Sequence, residues 1–335
     1  MEKRKLGKTN MYVNPVGFGG IPIQRITKEE AKEVINHALD LGCNFIDSAK
    51  GYTCSEAFIG EAIKERRNDV FLATKSMAKT YEAMEKDIKD SLEKFQTDHI
   101  DLYQMHNVKS MEIFKGMIDE AFKALIDYKA KGIVRHIGIT SHSLDFINEL
   151  LDTEYMDIIE TIQIPYNFIE PEAEPIYEKA NKLDIGTIAM KPLGGGAIDD
   201  GRIAIKFLLN NKNLSVAIPG MASIEEVEAN LGVNDLTYTD SEINYMKKLK
   251  DSLKGEFCHR CGYCMPCTKG IDIPGTMTLE RYCINYNLKD WAIKRYFSSV
   301  LASNCIDCKV CVSRCPYNLD IPTKMKKIAK LFEKE

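Results

Sequence analysis

From residue 12 to about residue 231, short apolar runs alternate with longer stretches of helical periodicity. The runs are VGFGG (16–20), NFID (44–47), VFLATK (70–75), IDLYQMH (100–106), VRHIGITS (134–141), TIQIPYN (161–167), IGTIAMKP (185–192) and SVAIPG (215–220). Most are separated by stretches such as TKEEAKEVINHALDLG, TYEAMEKDIKDSLEKF and AEPIYEKANKLD, where apolar residues recur at the three-to-four spacing of a helix with one buried stripe. The first stretch carries its own boundaries. Thr27 and Glu30 have capping-box spacing, and Gly42 marks the stop. Apolar strands alternating with helices predict a parallel sheet buried on both faces, and eight such units predict a closed (β/α)8 barrel. An open, doubly wound sheet is the competing arrangement. The early GFGG does not complete G-x-G-x-x-G before a helix, which weakens that alternative.

A polar, turn-rich run, VNDLTYTDSEINYMKKLKDSLKG, ends the alternation, and a cysteine-rich segment follows. The change of pattern predicts a boundary near residue 250: a barrel over 1–250 and a small helical, loop-rich domain over 251–335. Of the 11 cysteines only Cys43 and Cys54 precede residue 257. Charge divides at the same place. From Gly255 onward there are 13 Lys and Arg against 8 Asp and Glu, whereas the preceding residues hold 32 against 41. No apolar run approaches the ~20 residues that span a bilayer. The opening MEKRKLGKTN has no apolar stretch behind its charges, so neither a secretory signal nor a membrane anchor is expected. A cytoplasmic location, with thiols kept reduced, is the expectation.

The spacing of those thiols is specific. Cys305, Cys308, Cys311 and Cys315-Pro316 form C-x2-C-x2-C-x3-C-P, the bacterial spacing for a 4Fe–4S cluster, in which the fourth cysteine serves the other cluster of a pair. Cys258, Cys261, Cys264 and Cys267 are the natural partner run. One cluster is therefore assigned to Cys258, Cys261, Cys264 and Cys315, and the other to Cys305, Cys308, Cys311 and Cys267. The segment resembles two-cluster ferredoxins. It departs from them where the first run closes with two residues instead of three and Thr268 replaces proline, which leaves Cys283 as an alternative to Cys267. Zinc is the competing use of paired C-x2-C, but three consecutive x2 spacings serve tetrahedral zinc poorly. Two anionic clusters also account for the basic excess without nucleic acid. CTKGIDIP (267–274) and CPYNLDIP (315–322) match as an internal repeat, with an insertion at 275–304 carrying the single tryptophan, Trp291. The terminal PTKMKKIAKLFEKE reads as an amphipathic helix expected to lie on the barrel, not on a membrane.

In a barrel the chemistry sits at the C-terminal ends of the strands. Asp47 ends NFID, Lys75 ends VFLATK, His106 ends IDLYQMH, and Tyr52 follows Asp47 by five residues. A carbonyl that accepts hydride needs a proton donor. A phenol of pKa ~10 is too weak an acid unless a cation stabilises its anion. Lys75, held by Asp47, would supply that cation, and His106 would orient the carbonyl oxygen or relay the proton. The segments FIDSAKGYTCSE, LATK and YQMH resemble the aldo-keto reductases, over residues 3 to about 245. The resemblance implies an NAD(P)H-dependent oxidoreductase acting on a small carbonyl compound, with Asp47, Tyr52, Lys75 and His106 as its catalytic tetrad. It also implies cofactor contacts. Ser141, His142 and Gln163 would hold the nicotinamide carboxamide, and Tyr166 would stack on the ring. The loop Lys191, Pro192, Leu193, Gly194 would approach the pyrophosphate, and Gly220 and Asn230 the adenosine. His142 stands where the family commonly has asparagine. Glu225, Glu226 and Glu228 stand in the segment where NADPH-using relatives tend to carry Lys or Arg, which favours NADH.

Nicotinamide moves two electrons together and an iron–sulfur cluster moves one, so a flavin such as FMN in the barrel, fed by a ferredoxin or another electron carrier, is the alternative reading. Cys54 reads as a wall residue beside Tyr52. His37, His99, His136 and His259 read as surface or packing residues, with His259 placed to adjust a cluster by hydrogen bonding.

Overall fold

The computed structural model describes residues 1–333. A short antiparallel hairpin, β1 (Arg4–Lys5) and β2 (Tyr12–Val13), precedes eight parallel strands. These are β3 (Phe18–Gly19), β4 (Phe45–Asp47), β5 (Phe71–Ser76), β6 (Ile100–Met105), β7 (Val134–Thr140), β8 (Thr161–Pro165), β9 (Gly186–Met190) and β10 (Val216–Ala217). Each pairs in register with the next, and parallel bridges Val16–Ala217 and Gly19–Gly220 join the last to the first. The sheet thus closes as the apolar pattern predicts, with each of the eight runs supplying one strand.

The period of two along each strand divides the apolar residues into two cores. Phe45, Ala73, Leu102, Ile188 and Val216 point inward and meet Leu6, Met11 and Val13 of the hairpin, which plugs one end of the barrel. Ile46, Leu72, Tyr103, Ile137 and Ile162 take the opposite parity and pack under the helices. The first helix, Lys28–Asp40, forms the expected capping box: Thr27 accepts from the Glu30 amide and Glu30 from the Thr27 amide.

The chain forms two compact units: Met1–Gly194 with Asp200–Thr237, and Gly195–Asp199 with the residues from Tyr238 onward. The division falls before residue 250. The polar, turn-rich run holds a capped helix, Asp240–Ser252, with Thr239 and Glu242 as its box, and that helix belongs to the second unit. In that unit Ile273, Met277, Ala292, Tyr296, Ile321, Met325 and Ile328 form a small core that includes Cys258, Cys264 and Cys311. The internal repeat is a pair of helix starts. Asp272 caps Ile273–Ile284 and Asp320 caps Ile321–Phe332, with proline in each first turn. The terminal helix buries its stripe in this core, where Phe332 stacks on Tyr296 at 4.5 Å. Among the described residues no helix is long and apolar enough to cross a membrane.

Candidate functional site

Inward parity carries the candidate residues to one mouth of the barrel. Asp47 lies two residues beyond Phe45 on β4, Lys75 two beyond Ala73 on β5, and Gln104 two beyond Leu102 on β6. The Lys75 ammonium reaches Asp47 Oδ2 at 2.5 Å and the Ser48 carbonyl at 2.7 Å. Gln104 donates to Asp47 Oδ1 at 3.2 Å, and Gln163 on β8 adds a second amide contact to the same carboxylate. All four side chains are buried. Burial pushes the Lys75 ammonium below the ordinary lysine range, and the Asp47 carboxylate opposes that shift. Gln104, unnoticed in the sequence, is the third member of this network. Its inward parity beside Leu102 was the available signal.

Tyr52 sits in the loop between β4 and the helix Ser55–Ile63. That loop is tied down by Ser55, whose hydroxyl donates to the Gly20 carbonyl at 2.9 Å. Lys75 Nζ lies 5.1 Å from the centre of the Tyr52 ring, and the His106 ring meets Tyr52 edge-on at 6.2 Å. Burial, reinforced by the Lys75 charge, pushes the His106 imidazole down to about 3, so it is neutral at ordinary pH. The structure thus gathers all four tetrad candidates around one ammonium group.

The proposed cofactor contacts divide. Among the described residues Gln163 Oε1 and Asn230 Oδ1 are buried acceptors with no hydrogen-bond partner, which suits a ligand that brings donors to them. Lys191 and Gly194 both adopt left-handed backbone in the turn after β9, closed by Gly194 N–H donating to the Lys191 carbonyl at 2.9 Å; Pro192 and Leu193 lie within this turn. Ser141 is fully buried; its hydroxyl donates to the Val108 carbonyl and accepts from the Ser143 amide, so it braces the end of β7. His142 follows it, half-buried, before the helix Leu144–Leu150. Gly220 is required by close approach: a methyl there would lie 2.6 Å from Pro22 Cγ.

Tyr166 is placed elsewhere. It shares the outward parity of Ile162 and Ile164, its hydroxyl donates to Glu174 at 2.6 Å and accepts from Asn211 at 3.1 Å, and its ring is covered by Tyr177 and Phe207. It packs under the helix layer, where a nicotinamide has no access. On the neighbouring strand Met190, with the inward parity of Ile188, ends β9 at the mouth.

In the second unit the thiols surround two small cavities. Cys258, Cys261, Cys264 and Cys315 line one, and Cys267, Cys305, Cys308 and Cys311 line the other. Cys283 lines neither and sits on the helix Ile273–Ile284. Among the described residues no three His, Cys, Asp or Glu side chains converge closely enough to hold a single metal ion. The grouping suits a larger core spanning four sulfurs. Burial and then the neighbouring sulfurs of Cys258, Cys261 and Cys315 push the Cys264 thiol up to about 12, so four thiolates at this spacing require a cationic core between them. Thr268 Oγ1 lies 3.4 Å from Cys308 Sγ, and the Lys269 amide donates to Cys267 Sγ at 3.4 Å. His259 lies flat on Tyr317 with ring centres 3.6 Å apart, beside the first cavity.

Comparison with known proteins agrees with both halves. The aldo/keto reductase family profile matches residues 15–202, and the 4Fe-4S dicluster domain profile matches residues 257–320. An uncharacterized oxidoreductase of Bacillus subtilis, YqkF, is 26% identical over 258 residues, which cover 73% of this chain and 83% of the relative. L-galactose dehydrogenase of Arabidopsis thaliana is 25% identical, with 69% and 87% covered. Among solved structures, the holo form of aldo-keto reductase AKR11C1 from Bacillus halodurans superposes with a TM-score of 0.62 at 26% identity, covering 74% of this chain and 96% of that one. An aldo-keto reductase from Klebsiella pneumoniae, in complex with NADPH, superposes with a TM-score of 0.65 at 21% identity, with 75% and 95% covered, a likeness of fold. With more than half of its length matched, this chain belongs to the aldo/keto reductase family of oxidoreductases and carries a C-terminal 4Fe-4S dicluster domain at residues 257–320.

Proposed function

We propose that the protein reduces a small carbonyl compound with NAD(P)H, using Tyr52 as the general acid, and that its two clusters exchange single electrons with a ferredoxin or a similar carrier. The observation that carries this reading is the buried Asp47–Lys75 pair at 2.5 Å, with the Lys75 ammonium 5.1 Å from the Tyr52 ring. When bound, the reduced dinucleotide supplies the hydride, and the clusters supply or accept electrons one at a time. The chain's own residues do the rest. Tyr52 donates its phenolic proton to the substrate oxygen. Lys75 stabilises the phenolate left behind, and Asp47 with Gln104 holds Lys75 in place. His106, neutral at ordinary pH, acts as a hydrogen-bonding guide for the substrate oxygen rather than as a charge. Gln163 and Asn230 offer acceptors to the dinucleotide, with Ser141, His142 and the Lys191–Gly194 turn at the same end of the barrel strands. The cysteines group as Cys258, Cys261, Cys264, Cys315 and Cys267, Cys305, Cys308, Cys311 to hold the two cores.

Anaerobically purified protein assayed for NADH and NADPH consumption against a panel of aldehydes and ketones tests the reading. Turnover with at least one member is expected; none across the panel would overturn it. The matched 4Fe-4S dicluster domain, whose clusters would move electrons one at a time, favours a second reading, in which FMN occupies the barrel and a reduced ferredoxin feeds it. Flavin in an acid extract, together with no dinucleotide consumption, would select that reading instead.

A further inference from the structure

Behind the tetrad, on the helix side of β5, the chain buries a carboxylate that the proposed chemistry does not use. Lys75 points into the barrel, and its neighbours Thr74 and Ser76 take the opposite parity and face the helix layer. An acid from that layer holds each hydroxyl: Thr74 donates to Glu56 Oε1 at 2.8 Å, and Ser76 donates to Asp87 Oδ2. Glu56 lies in the first turn of the helix Ser55–Ile63, four residues after Tyr52. The same Oε1 accepts from Ser91 at 2.8 Å, on the helix Tyr81–Phe95. One carboxylate therefore joins the residue beside Lys75, the helix that follows the Tyr52 loop, and a second helix packed on the first.

Glu56 is only 1% exposed, and its other oxygen, Oε2, accepts no hydrogen bond among the described residues. That carboxylate lies 3.8 Å from Lys94 Nζ, and Lys94 reaches solvent. A buried, half-satisfied carboxylate costs stability that a well-packed apolar side chain would not. Its charge is felt at the mouth. Burial pulls the Lys75 ammonium down, and Asp47 first, then Glu56, oppose that pull. We propose that Glu56 is a positioning residue, setting Lys75 against Tyr52 through Thr74, and that its negative charge restrains the acidity of the phenol. The proposal rests on the reading of Tyr52 as the general acid. A negative charge behind the ammonium offsets part of the field that stabilises the phenolate, so the phenol keeps its proton until the substrate takes it. Asp47, Asp87 and Asp90 also face this region, and Lys86 and Lys50 hold Asp90 down to about 2. The Tyr103 phenol is pushed well up by burial, and His106 is neutral. None of these carboxylates changes charge in the range where a tyrosine titrates.

Ultraviolet titration of the tyrosines in the anaerobically purified full chain tests this. Each protein is read against the same chain carrying Tyr52→Phe, so the difference reports the Tyr52 phenol alone. Glu56→Gln keeps an acceptor for Thr74 and Ser91 and removes the charge, and the Tyr52 midpoint should fall by about 0.5–1 pH unit. Lys94→Met leaves the carboxylate without its cation, and the midpoint should rise by about half as much. The alkaline limb of kcat/KM should move the same way in each variant. Thr74→Val cuts the tie to β5 and keeps the charge, so kcat should fall about tenfold with KM within about twofold and the midpoint in place. A Thr74→Val kcat within about twofold of the wild type overturns the positioning role. A midpoint that moves by less than about 0.2 unit in both charge variants, or in the same direction in both, makes Glu56 a structural tie only and overturns the inference, whatever Tyr52→Phe does to turnover. Should the glutamine variant misfold, Lys94→Met decides alone. Opposite shifts, together with a Tyr52→Phe chain that turns over like the wild type, would leave the field of Glu56 standing and overturn the general-acid reading instead.

Discussion

The barrel mouth and the thiol chambers solve the same problem, holding reactive groups in fixed geometry, in opposite ways. At the mouth the protein alone fixes the Asp47–Lys75 pair. Lys75 has Asp47 and the Ser48 carbonyl, Asp47 has two glutamine amides, and every member stands on a strand with both faces buried. In the chambers the side chains are incomplete by themselves. Thiols surround a space, three of them form part of the unit's small core, and burial with mutual repulsion keeps the Cys264 proton on. The barrel site is therefore preorganised by the fold, whereas the second unit needs its clusters to exist as a fold, as small metallo-domains do.

The comparison breaks most visibly on removal of iron. Chelation under mildly oxidising conditions is expected to abolish hydrogen-exchange protection in Ile273–Ile284 and Ile321–Phe332 while β4, β5 and β6 stay protected. Equal loss in both units would erase the distinction. Next in size is Lys75→Met. It leaves Asp47 charged and buried without its cation, a loss of about 3–5 kcal/mol by denaturant unfolding of the barrel, with the cluster spectrum unchanged. A smaller effect concerns pH. The folded His106 pKa of about 3 lies below its unfolded value near 6.5, so between those limits the unfolded chain holds a proton that the native chain lacks. Barrel stability should fall as pH is lowered through that window, by about 1.4 kcal/mol per pH unit at most, and His106→Gln should remove that share of the slope. The smallest effect is for Tyr166→Phe. It loses its bonds to Glu174 and Asn211, about 1 kcal/mol of stability, and should leave dinucleotide affinity unchanged. A large change in affinity there would return Tyr166 to the mouth.

The two regions were also legible in the sequence to different degrees. Strand order and the meeting of Asp47, Tyr52, Lys75 and His106 at one mouth follow from local rules, namely apolar runs of the right length, caps such as Thr27–Glu30, and strand-end polar residues, whereas their reading as a tetrad came from the resemblance. The thiol groupings follow from spacing, because three cysteines two residues apart wrap one core and a fourth before proline departs to the other. Tyr166 shows what a resemblance read without strand parity misses. It lies just past the end of β8, and its ring meets Tyr177 and Phe207 of the helix layer while Gln163 faces Asp47 inside the barrel. Gln104 was hidden because its role depends on the neighbouring strand, which brings it level with Lys75. The end of the barrel unit was hidden because a polar stretch with little to bury reads as turn-rich, although Thr239 and Glu242 carried the capping signature of a helix.

The claim on which the account turns is that the phenol of Tyr52, acidified by the ammonium of Lys75, protonates the substrate. Steady-state kinetics of Tyr52→Phe with a carbonyl substrate of the wild type, on protein whose iron content and EPR spectrum match the wild type, tests it most directly. The account expects kcat/KM to fall by about 10²–10⁴. A Tyr52→Phe protein that turns over within about twofold of the wild type would contradict it.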